Sequence, residues 1–174
     1  MIALHVVFWA FVLLFALIGA LRGVAKEILV SASIIGAMFL FSLLQQFTPH
    51  LWEALVKDPV TGFFAETAII GLAALFGYAG PALSTQLAGR AKREKGVEII
   101  AGFAAGAING WLIAGSILFF LDQAGYPFPE VLRPPDPSGP VLGMLSWMPP
   151  ALIRPPLLYF AVVVALFAML IFYL

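Results

Sequence analysis

AGFAAGAINGWLIAGSILFFL, residues 101–121, decides the fold. The stretch carries no charge. Gly102, Gly106 and Gly110 recur at every fourth position, with Ala101 and Ala105 beside them. On a helix such a row stays on one face. Glycine has no side chain, so a second helix can approach along that face until the backbones nearly touch. In lipid this close contact is a main source of helix association, because acyl chains are as apolar as leucine. The bulky remainder, Trp111, Ile113, Ile117, Phe119 and Phe120, is expected to face lipid or a neighbouring subunit. The segment reads as the central helix of a small membrane bundle.

Composition points the same way. The chain has 174 residues, 63% hydrophobic and 10% charged, with a mean hydropathy of +1.05. Soluble domains are about half apolar and about a quarter charged. A net charge of zero gives no support to nucleic-acid binding. The absence of cysteine excludes disulfides, thiolate metal sites and cysteine nucleophiles. His5 and His50 have no companions at ligand or triad spacing, and Ser116 is not in a Gly-x-Ser-x-Gly elbow. Neither an enzyme nor a cofactor is therefore expected.

The fold expected is all-α, a polytopic helical bundle with four spans at about 2–21, 28–47, 63–87 and 98–121. A run of 18 residues, 157–174, is just long enough to be a fifth. The first run reads as a span rather than a signal peptide, since no Lys or Arg precedes it. Between the second and third spans, LWEALV suggests a short interfacial helix anchored by Trp52. Glu66 is expected in the first turn of the third span, where a carboxylate suits the helix dipole. The alternative is a proton or ion ligand. Pro81, well inside that apolar run, predicts a kink. Residues 126–156 are expected to be a proline-rich, extended, non-cytoplasmic loop. MLSWMPPALIR within it is expected to dip into the interface.

The charges supply orientation. Arg22, Lys26, Arg90, Lys92, Arg93 and Lys95 fall in the first and third connections, whereas the second and fourth hold Lys57, Arg133 and Arg154. With the basic loops inside, five spans put the N-terminus outside and the C-terminus inside. Arg90, Lys92, Arg93 and Lys95 also suit anionic lipid headgroups. In LRGVAKEIL, Arg22 and Lys26 either serve only to orient the turn, or Arg22 pairs with Glu27 across it. A charge at the bilayer centre costs ~2.5–3.5 kcal/mol on insertion scales, which favours pairing.

Two stretches resemble the colicin V production protein (CvpA-like) family. LRGVAKEILVSASIIGAMFLFS is similar to the turn between that family's first two helices, and EIIAGFAAGAINGWLIAGSILFFLD to its fourth helix. The matching residues are Arg22, Gly23, Lys26 and Glu27 in the turn, and Gly102, Gly106, Gly110 and Asp122 in the helix. Asn109 stands where the family usually has arginine, and Ile99 where an Asp-Arg pair often precedes the helix. The resemblance implies a bacterial inner-membrane protein tied to colicin V production or export and to envelope homeostasis.

Two functional classes follow. In the first, the chain is a structural or accessory subunit of a larger export, envelope or energy-converting complex, with the bilayer and other membrane subunits as partners. Asn109 then bonds across a helix interface beside the glycine row. In the second, it is a small channel or transporter in which Asn109, Glu66, Glu98, Asp122, Arg22 and Glu27 line a polar path. The first is favoured because most of these groups fall near helix ends, whereas transport sites commonly lie near the midplane.

Overall fold

The computed structural model describes residues 4–83, 95–128, 130, 135 and 139–173. Eight helices account for most of them: α1 (Leu4–Arg22), α2 (Val24–Phe47), α3 (Pro49–Leu55), α4 (Pro59–Leu83), α5 (Lys95–Gln123), α6 (Pro140–Leu145), α7 (Pro149–Leu152) and α8 (Leu157–Tyr173). No strand occurs among the described residues. Helices α1, α2, α4 and α5 are long and apolar enough to cross a membrane, and α8 is a shorter apolar helix. At 1.5 Å per residue, the 29 residues of α5 measure about 43 Å and the 17 of α8 about 26 Å.

Helix α5 is the centre. On one side its glycines meet α1 in antiparallel order: Gly102 lies at Gly19, Gly106 at Phe15 and Gly19, and Gly110 at Val12. On another side α5 runs parallel to α2, so Asn109 meets Ser31 and, further along, the Phe120 and Phe41 rings cross edge-on at 6.1 Å. Helix α4 returns antiparallel to α2, with Gly77 over Val30 and Gly80 over Leu29. Helix α8 also runs antiparallel to α2. Tyr159 meets Phe39, and Leu166 and Met169 share a groove with Leu29 and Ser33. The main core joins Val30, Ile34, Ile70, Leu112 and Phe120. A second cluster joins Phe8 and Leu118 to Val141, Met144 and Met148 of the proline-rich segment.

Several local expectations are corrected. Ile113 and Phe120 are buried, and Trp111, Ile117 and Phe119 are half-buried against the core, so the bulky faces of α5 meet protein rather than lipid. A helix apolar all round suits the middle of a bundle equally well. The exposed large apolar residues of α5, Val97, Ile99, Ile100, Phe103 and Ile108, lie in its first half. The turn between the first two spans shrinks to the single residue Gly23, and Lys26 and Glu27 already lie in the first turn of α2. Gly23 has φ +85°, a conformation that side chains disfavour.

Helix α4 starts at Pro59, which puts Glu66 two turns in rather than in the first turn. Its start is fixed by Asp58, whose carboxylate accepts the Thr61 N–H and hydroxyl at 2.9 Å each. Those bonds hold the Asp58 carboxyl below its usual range. Trp52 belongs to α3 and packs on Phe41, ring to ring at 5.6 Å. The proline-rich segment is not extended throughout, because prolines at the first turns of α6 and α7 start short helices there. Pro81 falls in the last described turn of α4, and Arg90, Lys92 and Arg93 lie outside the described residues.

Candidate functional site

Two kinds of contact converge on α5. The first is the glycine row. A Cβ on Gly102 would run into the Gly19 carbonyl, and one on Gly106 into the Phe15 carbonyl. On Gly110 it would stand 2.8 Å from the Val12 Cα. In each case the obstacle is backbone, which cannot swing aside. Gly19 meets the same limit from the other side, against Gly102 and Gly106. Gly115 adds a contact that no repeat in the sequence signals: its Cβ would lie 2.7 Å from the Pro149 ring. That contact holds the proline-rich segment against α5.

The second contact is polar and centres on Glu27, which is 0% exposed. One carboxylate oxygen accepts Arg22 Nη1 at 2.7 Å. The other accepts Asn109 Nδ2 at 2.8 Å and the Tyr78 hydroxyl at 3.3 Å. Asn109, also 0% exposed, uses its second amide hydrogen on the Glu27 backbone carbonyl at 3.0 Å. Its own oxygen accepts the Ser31 hydroxyl at 2.6 Å. Two oxygens facing Nδ2 and a hydroxyl facing Oδ1 fix the orientation of the amide. Arg22 completes the ring. It donates to the Tyr78 backbone carbonyl at 3.2 Å, and its guanidinium carbon lies 4.3 Å from the centroid of the Tyr78 ring.

The network therefore ties the end of α1, the start of α2, the end of α4 and the middle of α5. It contains one cation and one anion, so it adds no net charge to the apolar interior. Buried ion pairs tolerate such a place only when further hydrogen bonds satisfy them. Here the amide of Asn109 supplies two N–H groups without a second positive charge.

Of the turn residues, Arg22 and Glu27 enter the network. Gly23 makes the connection, its α-carbon close to the Glu98 carboxylate and the Gly102 backbone. Lys26 is half-buried and forms no ion pair among the described residues. Among the described residues, Glu66, Glu98 and Asp122 share no hydrogen bond or ion pair with the network, although Glu98 lies beside Gly23. Asp122 instead accepts the Tyr126 hydroxyl at 3.1 Å. Tyr78 and Ser31 were not recognisable as partners in the sequence. A tyrosine near the end of an apolar run reads as an interface anchor, and only the fold places it beside Glu27.

A family model described as colicin V production protein matches residues 4–134, which takes in α1 to α5 and leaves α6 to α8 beyond it. Neither the curated proteins nor the solved structures contain a significant match.

Proposed function

The chain belongs to the colicin V production protein family and is a multi-pass membrane protein, and from that premise we propose that it is a structural or accessory subunit of a larger bacterial inner-membrane complex. The observation that carries this reading is the closed network on Glu27. Its carboxylate meets three donors from α1, α4 and α5. The side chains of Arg22, Glu27, Tyr78 and Asn109 are thus committed to holding helices together. The glycine row has the same role in this reading, locking α1 on α5 by shape. Exposed rows on α1, α4 and α8, such as Leu13, Leu17, Leu72, Phe76, Val164 and Phe167, are then the faces offered to lipid and to neighbouring subunits.

The orientation proposed has the α1–α2 turn and Lys95 on the cytoplasmic side. The course of α8 along α2 supports a fifth crossing, because it carries the chain from the level of Phe39 back towards that of Leu29. In that case the N-terminus is outside and the C-terminus inside. Anionic lipid at Arg90, Lys92, Arg93 and Lys95 is part of the same proposal.

Affinity purification from membranes in mild detergent tests the role. Co-purification of a constant set of membrane proteins is expected, together with tight proteoliposomes when the chain is reconstituted alone. A chain that travels alone and passes ions or a small solute, with a flux altered by Asn109→Leu, would replace this reading with the channel.

A further inference from the structure

A cavity of about 570 Å³ lies at the opposite end of the bundle from the Glu27 network. It is framed by the end of α2, α3, the start of α4, the end of α5 and the segment from Pro150 to Leu158. Its volume is in the range of small-molecule sites, about 300–1,000 Å³. Glu66 lines it. That residue is 8% exposed, and its carboxylate has no hydrogen bond or ion pair among the described residues. The contrast with Glu27, which has three donors, is complete. A buried carboxylate without a partner is costly, and a cation brought beside it removes that cost. The same wall carries Phe41, Trp52, Phe63, Phe119 and Phe120. Aromatic faces attract ammonium groups.

We propose that this cavity binds the ammonium group of an amphiphile, with Glu66 as its counter-ion and the rings around it. The polar edge formed by Ser42, Gln45 and Gln123 comes from the ends of α2 and α5. The headgroup therefore sits at the depth of the membrane interface, and Met38 and Leu158 receive the start of the apolar tail. Arg154 also borders the cavity. It is exposed, and its Nε donates to the Pro150 carbonyl at 3.1 Å. It is suited to a phosphate carried on the same headgroup. A free alkylammonium and an ethanolamine phospholipid share the ammonium chemistry. The inference stands independently of the accessory role.

The test uses the full chain in a maltoside detergent, titrated with decylammonium and with decanol and read by native mass spectrometry. One decylammonium per chain is expected, bound at least about tenfold more tightly than decanol, a difference of about 1.4 kcal/mol. Glu66→Gln should reduce decylammonium to the level of decanol while leaving the elution volume unchanged. Equal binding of the two probes by the unaltered chain overturns the proposal, and this comparison stands even if the variant fails to fold. Undiminished binding by a folded Glu66→Gln variant overturns it as well. Protein taken from nanodiscs containing phosphatidylethanolamine separates the sources. One retained phospholipid per chain, lost in Glu66→Gln, identifies the lipid headgroup. Decylammonium binding without retained phospholipid identifies a free amphiphile.

Discussion

Helix α5 holds two of its neighbours, α1 and α2, by opposite means. Against α1 it is smooth, with Gly102, Gly106 and Gly110 bringing backbone close to backbone. Against α2 it is bonded, with Asn109 reaching both the carboxylate and the backbone carbonyl of Glu27. Shape complementarity works through many weak contacts and tolerates no added volume. Hydrogen bonding works through a few atoms and tolerates no missing partner. In a bilayer the first replaces the hydrophobic drive that lipid cannot supply. The second selects which helix, and which turn of it, comes to rest there.

The sharpest test of the bonded face is Glu27→Ala. It removes the anion and leaves the Arg22 guanidinium without its counter-ion and one Asn109 N–H without its acceptor, at a cost of ~3–5 kcal/mol. Denaturation in detergent should show a large loss of stability; a variant as stable as the parent would mean that the network holds nothing. Gly106→Leu tests the smooth face. It forces α1 and α5 apart, with an expected loss of about 3 kcal/mol. The control Ile117→Leu, on the half-buried side of α5, should stay below about 1.5 kcal/mol. Equal yields of folded protein for these two variants would break the contrast between the faces.

Asn109→Leu should cost about 1–3 kcal/mol, because it deprives Glu27 of a donor but leaves the ion pair with Arg22. It should also be additive with Gly106→Leu only in part, since both sit on the same two turns of α5. Tyr78→Phe is the mildest. It removes one long hydrogen bond and keeps the ring under Arg22, so ~0.6 kcal/mol is expected. A loss as great as that of Asn109→Leu would move the centre of the network from α5 to α4.

The same division explains what could be read beforehand. The smooth face was legible because a four-residue glycine row is a pattern within one helix. The bonded face was legible only by half. Asn109 stood out as a polar residue in an apolar run, but its partner comes from another helix. The bulky side of α5 is ambiguous in the sequence for a related reason. Phe120 looks the same in sequence whether it meets an acyl chain or Phe41, since both surroundings are apolar. Charges caused the errors in helix bounds. Lys26 and Glu27 drew the expected start of α2 inward, because hydropathy alone stops a span where a charge begins, and the polar stretch around Asp58 did the same for α4. Burial of Glu27 among its donors lets α2 start earlier. Gly115 belongs to no repeat, so nothing marked it as the seat of Pro149.

Gly23 is the only residue between α1 and α2. So short a link has no slack. Neither helix can reverse its direction through the membrane without carrying the other with it, and a topology error in one becomes an error in both.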